Sequence, residues 1–172
     1  MKFRPTSYDD LAQLRTWVST KEEMMLWSGP TFTWPLTDQQ LRSYLGNPHR
    51  RYWSAVDPDS GEMTGHASLL VEQPAQMMRL GYIIVNPQLR GQRLGRELVQ
   101  HTTRAGFRLT GLPSMKLHVY SHNTPARRLY ASLGFKETGV SFHVDADDNQ
   151  WDALEMEICS CEVAAAEAPE RR

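Results

Sequence analysis

The order of elements read along this 172-residue chain predicts an α+β fold built on a mixed, mostly antiparallel central sheet flanked by helices. Three observations predict it. The segments 51–56 and 62–71 alternate apolar and polar residues around the turn Asp57-Pro-Asp-Ser-Gly61, as paired strands do. The β-branched run Ile83-Ile84-Val85 leads through a turn into a long apolar-periodic stretch, which is a buried strand feeding a helix. The segments 137–144 and 151–159 read as a hairpin around Asp145-Ala-Asp-Asp-Asn149.

In chain order, Lys2–Arg4 is a short first strand. The helix that follows, from Tyr8 to Val18, is set by Leu11, Leu14 and Val18 on one face. Lys21–Leu26 forms a further turn or two of helix, and Trp27–Leu36 is a loop rich in aromatics and proline. Thr37–Leu45 is a capped helix stopped by Gly46-Asn-Pro. The strand 78–85 ends at Asn86-Pro87, because proline has no N–H for the ladder and biases its predecessor away from helix. Gly95–Leu109 is a long helix, and Met115–Tyr120 alternates as a half-buried strand. Asn123 or Thr124 caps the next helix, Pro125 suits its first turn, Ala126, Leu129, Tyr130 and Leu133 share one face, and Gly134 ends it. No internal repeat interrupts this order.

The length suits one domain, expected over residues 1–160, with residues 161–172 a disordered tail of small and charged residues. A formal net charge of −1 argues against a nucleic-acid surface, which carries a basic excess. No apolar run approaches the roughly 20 residues of a membrane span. Met1-Lys-Phe-Arg-Pro lacks the apolar core of a signal peptide, so a cytoplasmic location is expected. Cys159 and Cys161 sit two apart. On a strand that spacing points both side chains the same way, poor for a mutual disulfide and incomplete for a metal site, so free thiols and no metal are expected.

The chemistry concentrates between Asn86 and Arg96. Gly91 and Gly95 let the backbone come close to a ligand, and Arg90, Arg93 and Arg96 add positive charge at the mouth of a helix. Free N–H groups and the positive end of the dipole there suit a phosphate or pyrophosphate. The spacing matches neither the Gly-x-x-x-x-Gly-Lys-Ser/Thr nor the Gly-x-Gly-x-x-Gly phosphate loop, which argues against ATP or a nicotinamide.

Two motifs together resemble the GNAT acetyltransferase superfamily. Arg90-Gly-Gln-Arg-Leu-Gly95 is similar to its Gln/Arg-x-x-Gly-x-Gly/Ala pyrophosphate loop. About 30 residues later, Asn123 to Phe135 is similar to its Asn-x-x-Ala-x-x-Leu-Tyr-x-x-x-Gly-Phe element. One departure is the loop's middle glycine, which is Arg93 here and is tolerated where position 93 has helical angles. The resemblance implies a V-shaped splay between two central strands, 78–85 and 115–120, with acetyl-CoA in the cleft. It implies that backbone groups of Ile83, Ile84 and Val85 pair with the pantetheine arm as a pseudo-strand. It further implies that the Arg90–Arg96 loop, with the amides of Gln92, Arg93, Leu94, Gly95 and Arg96, cradles the pyrophosphate. Asn123 would bond the pantetheine, and Tyr130 would lie near the thioester sulfur as the acid.

The reaction implied is direct attack of a neutral primary amine on the thioester. The acceptor is a small metabolite, a drug or a peptide α-amine. The family's glutamate early on the strand before the loop is replaced by Arg79, Leu80 and Gly81. Glu72, His118, Glu155 and Glu157 are the remaining candidates for the base. Met24, Met25, Trp27, Phe32 and Trp34 either roof the core or line an acceptor lid, with Glu22, Glu23 or Asp38 placed to hold an amine's charge. Trp27-Ser-Gly-Pro before Pro35-Leu-Thr also resembles the branch that includes ribosomal-protein N-terminal and aminoglycoside acetyltransferases. A non-catalytic acyl-CoA-binding or sensory domain is the alternative from another class. The final hairpin, with Phe142 and Trp151, reads either as a homodimer edge or as an exposed strand.

Overall fold

The computed structural model describes residues 1–146 and 149–167. Seven strands form one sheet in the order β1 (Lys2–Pro5), β2 (Arg50–Val56), β3 (Met63–Glu72), β4 (Met77–Val85), β5 (Ser114–Tyr120), β7 (Asn149–Cys159), β6 (Lys136–Ala146). Every neighbouring pair is antiparallel except β4 and β5, so the expected mixed, mostly antiparallel sheet is observed. Asp147 and Asp148, part of the turn expected in the last hairpin, lie outside the described residues. Among the described residues no helix is long and apolar enough to cross a membrane.

The two faces of the sheet carry different cores. Helices α4 (Leu94–Thr110) and α5 (Thr124–Ser132) cover one face, where Leu69, Met78, Leu80, Val99, Met115, Leu117, Met156 and Ile158 are buried together. Gly106 brings α4 against this face: a Cβ there would lie 2.5 Å from Met115 Cε and 2.9 Å from Leu69 Cδ2. Helices α1 (Tyr8–Arg15), α2 (Lys21–Ser28) and α3 (Asp38–Leu45) contribute to a second core containing Leu11, Leu14, Met24, Trp27, Phe32 and Leu41. Their N-caps are Ser7, Thr20 and Thr37, each accepting from an amide three residues on.

This second core is held to the sheet through a buried polar chain. Asp10 accepts from Arg4 at 2.5 and 2.7 Å, from the Ser7 amide at 2.8 Å and from the Ser54 hydroxyl at 2.9 Å. Thr6 and Tyr44 each contact one ring nitrogen of the fully buried His66, at 3.1 and 2.9 Å. Burial drives the His66 pKa down to about 3, so the ring is neutral.

Two expectations fail at the C-terminus. Cys159 and Cys161 are joined in a disulfide. The strand argument does not reach them, because β7 ends at Cys159 and α6 (Ser160–Glu167) begins at the next residue, which brings the two Cα atoms to 5.4 Å. The tail expected to be disordered from residue 161 is helical as far as Glu167, through an alanine run of high helix propensity, with Glu162 paired to Lys136. Residues 168–172 lie outside the described residues.

The Asp10 cluster yields a stability prediction. Burial works against ionisation of Asp10, but Arg4, the Ser7 amide and Ser54 outweigh it and hold its pKa below the ordinary carboxylate value. A depressed folded-state pKa contributes stability that is present above the unfolded value near 3.9 and is lost as pH falls through the folded value. Asp10→Ala should lower stability by about 2–4 kcal/mol in urea unfolding at pH 7, since it strips the capping box and leaves buried donors unmatched. The deficit relative to the parent should shrink as pH drops below about 4.

Candidate active site

The parallel pair β4 and β5 is in register at a single point, Arg79 opposite Lys116. Beyond Arg79 the strands diverge, and the side of β4 that faces β5 is left without a strand partner over Leu80–Val85. A bulge sharpens the divergence. The β3–β4 register shifts between His66 and Ser68, and Tyr82 sits there at φ 54°, a left-handed conformation uncommon for a residue with a bulky side chain. Its hydroxyl is tied to Thr31 at 2.7 Å.

Two cavities meet in this splay. The outer groove, about 1190 Å³, is lined by Ile83, Ile84, Val85, Arg90, Gly91, Arg93, Leu94, Gly95, Arg96 and Asn123. The inner cleft, about 360 Å³, runs between the diverging strands and includes Ile83, Asn123 and Tyr130. Leu26, Trp27, Ile83, Asn123 and Ala126 line both. Of the residues expected to bind acetyl-CoA, only Gln92 lines neither.

The loop at the mouth of α4 differs from expectation in one respect. Position 93 does not have helical angles: Arg93 is left-handed, at φ 64° and ψ 5°, and makes no side-chain cap. Gly91 is also left-handed, at φ 84°, with open space where a Cβ would stand. The amides of Arg96 and Glu97 reach back to the Arg93 carbonyl at 2.9 and 3.3 Å. The N–H groups ahead of them point out of a 17-residue helix with the positive end of its dipole. Arg96 is anchored to Ser132 by its side chain at 2.8 Å, which fixes the start of α4 to the end of α5.

Asn123 is the N-cap of α5. Its Oδ1 accepts from the Ala126 amide at 3.3 Å, which turns its Nδ2 to other partners. Tyr130, one helical stretch on, is buried against Phe135, and burial pushes its phenol up to about 12. The hydroxyl is therefore protonated at every ordinary pH.

The candidates for the base separate clearly. His118 lines the inner cleft, with its ring edge-on to Phe142 at 4.7 Å and Nε2 3.6 Å from Glu155. Burial, reinforced by Arg79, lowers its pKa below 6.5, so it is neutral at pH 7. Glu155 does not line the cleft and is committed elsewhere. It accepts from Lys116 at 2.8 Å and Thr138 at 3.1 Å, which outweigh its burial and hold it ionised. Glu157 is bonded to Ser114 at 2.6 Å, and Glu72 pairs with Met77 at the far end of β3; neither lines a described cavity.

The expected apolar lid is mostly core. Met24 and Phe32 are buried in the second core, Met25 packs with Tyr120, and Trp34 is exposed, leaving Trp27 as the member that faces the cleft. The acidic residues proposed to hold an amine's charge are also elsewhere. Asp38 pairs with Arg15 at 2.8 Å, Glu23 lies on the outer groove bonded to the Ser19 amide, and Glu22 lines neither cavity. In their place the inner cleft presents Arg50, Arg79, Tyr82 and Tyr120. Sequence reasoning missed Arg50, Tyr82 and Tyr120 because strand register and the bulge, not any motif, bring them together. The alternation of β2 and β5 was the one available signal.

Comparison with known proteins is consistent with this geometry. Residues 21–135 match the acetyltransferase (GNAT) family. The chain belongs to the GNAT acetyltransferase family. Over 94 residues it is 33% identical to the peptidyl-lysine N-acetyltransferase YjaB of Salmonella typhimurium, a match that covers 55% of this chain and 56% of that protein. The match to this relative thus spans little more than half of the relative's length. An uncharacterized N-acetyltransferase of Bacillus subtilis, YycN, is 30% identical over 122 residues, 63% of this chain and 76% of that one. Among solved structures, spermidine N-acetyltransferase from Vibrio cholerae in complex with CoA and spermine superposes with a TM-score of 0.81 at 19% identity, over 95% of this chain and 97% of that one. The ribosomal-protein-S18-alanine N-acetyltransferase from Escherichia coli gives 0.70 at 21% identity, over 92% of each chain. At these identities the structural likeness speaks for the fold.

The left-handed loop yields a prediction. Arg93→Gly should raise stability by about 1 kcal/mol in urea unfolding, because it removes the steric cost of αL at a side-chain-bearing residue. Gly91→Ala should lower it by a similar amount, on conformational grounds alone.

Proposed function

We propose that this GNAT enzyme transfers the acetyl group of acetyl-CoA to a primary amine by direct attack. The observation that carries the reading is the continuous path from the free amides of the Arg90–Arg96 loop, along the unpaired edge of β4, to the buried Tyr130 phenol. In this reading the loop amides and Arg90 take the pyrophosphate. The backbone of Ile83–Val85 supplies the missing strand partner for the pantetheine amides, and Asn123 adds a side-chain donor. The thioester then lies where groove and cleft meet.

The amine attacks the carbonyl carbon, forming the C–N bond, and the tetrahedral species collapses with loss of the C–S bond. The nitrogen gives up one proton, and the sulfur leaves as thiolate. His118, neutral and in the cleft, accepts the proton directly or through water. Tyr130 meets the leaving sulfur. A phenol at about 12 does not surrender its proton outright to a thiolate whose own value is near 8.5. Its contribution is a hydrogen bond to the developing negative charge in a nearly dry site.

The test is release of CoA thiol from acetyl-CoA across a panel of amines. Tyr130→Phe should reduce kcat at least tenfold while equilibrium binding of acetyl-CoA stays within about twofold of the parent. His118→Gln should lower kcat by a comparable factor. Gly91→Asp should weaken acetyl-CoA binding at least tenfold by setting a carboxylate beside the pyrophosphate. Undiminished binding in that variant would refute the loop assignment. Turnover that survives Tyr130→Phe unchanged would refute the phenol's role.

A further inference from the structure

The inner cleft is a cationic site with no counter-charge of its own. Arg50 and Arg79 both line it, and no aspartate or glutamate does. Their placement follows from sheet register. Arg50 is opposite Leu70 on β3, and Leu70 is opposite Arg79 on β4, so both arginines rise from the same face two strand spacings apart, about 10 Å at the backbone. That separation lets two long side chains converge on one small group between them.

Among the described residues neither guanidinium is paired with a carboxylate. Arg50 donates to Ser68 at 3.0 Å and lies over the Tyr82 ring at 4.6 Å, which aims its head along the cleft wall. Arg79 has its Nε withdrawn from solvent and unmatched by any acceptor. Arg4, Arg15 and Arg127, by contrast, each pair with a carboxylate, Asp10, Asp38 and Glu137 respectively. The acidic groups on this face stand outside the cleft: Glu72 at the end of β3 beside Met77, and Glu155 and Glu157, bonded to Lys116 and Ser114. A half-buried pair of guanidiniums without anionic partners is unfavourable. A planar, bidentate fork such as theirs is matched by a carboxylate or phosphate.

We infer that the amine acceptor carries an anionic group, a carboxylate or a phosphate, which Arg50 and Arg79 bind while its amine faces the thioester. This rests on the acetyl-transfer reading above and narrows it to a substrate class. A cleft of about 360 Å³ suits a small molecule of this kind or a short peptide end. The same two charges disfavour a second positive charge, so a polyamine is a poor acceptor here even though the fold is shared with a spermidine enzyme. They also favour the neutral form of the bound amine, which is the form that attacks.

The experiment measures CoA-thiol release with matched acceptors: α-amino acids against their carboxamides, phosphoethanolamine against ethanolamine, and spermidine. Equilibrium binding of the same compounds to the CoA-bound protein is measured in parallel. The anionic member of at least one pair should exceed its neutral partner at least tenfold in kcat/KM, and spermidine should fall below it. Which pair responds separates carboxylate from phosphate. Arg79→Gln and Arg50→Gln should collapse that preference to within about threefold, mainly through KM, while acetyl-CoA binding within about twofold of the parent reports an intact fold. Arg79→Lys should restore only part of it, and Arg51→Gln, on the opposite face of β2, should leave it unchanged. Spermidine or the neutral amides used as well as the anionic amines would overturn the inference. So would failure of every anionic member to bind or react while acetyl-CoA binds normally. Loss of acetyl-CoA binding itself would instead overturn the acetyl-transfer reading.

Discussion

A parallel strand pair that is in register only once governs this molecule. Had β4 and β5 zipped along their length, β4 would have no free edge and the sheet no interior cleft. The bulge at Tyr82 turns β4 away while its other edge stays bonded to β3, so the sheet opens without losing its core. The groove, the cleft and the approach to Tyr130 all follow from that divergence. The Arg96–Ser132 contact sets its outer margin, because it binds the start of α4 to the end of α5 on either side of the opening.

The electrostatics of the opening are divided along its length. At the outer end, charge is met by backbone N–H groups and a helix dipole, which suit a diffuse, multiply charged ligand. At the inner end it resides in two guanidiniums fixed by Ser68 and Tyr82. Between them lie uncharged groups, the Asn123 amide and the Tyr130 phenol, the latter kept protonated by burial. The buried cluster of Asp10, Ser54, Thr6, His66 and Tyr44 stays outside this gradient. It anchors α1 and α3 to the sheet and closes its hydrogen bonds internally.

Much of this was legible in the sequence. Strand and helix positions followed from period and punctuation: Asn86-Pro87 ended β4, Asn123 capped α5, and Gly134 stopped it. The groove residues were legible because they are contiguous in two motifs. The inner cleft was not, because Arg50, Arg79, His118 and Tyr120 come from three separate strands, and only register makes them neighbours. Arg93 misled for a local reason: a helix-opening position looked right-handed from its neighbours, yet the loop demands αL. The cysteines misled because the strand ends between them. The aromatic loop misled because burial in a second core and burial against a ligand look alike in one dimension.

The row Arg50, Leu70, Arg79, Lys116, Glu157 and Lys136 crosses six strands in register, and on β3, β4, β5 and β7 the residues flanking it, from Leu69 and Val71 to Met156 and Ile158, turn to the opposite, apolar face. A shift of one residue in β4 would drive Met78 or Leu80 toward the cleft and Arg79 toward the core. Evolution therefore cannot retune this wall by sliding strands. It can only replace side chains in place, one position at a time, and each such replacement leaves the fold almost untouched. Divergence in acceptor preference across a lineage of such chains would accumulate at Arg50, Leu70 and Arg79, the row positions that line the cleft, while the opposite face, read at the same register, stays constant.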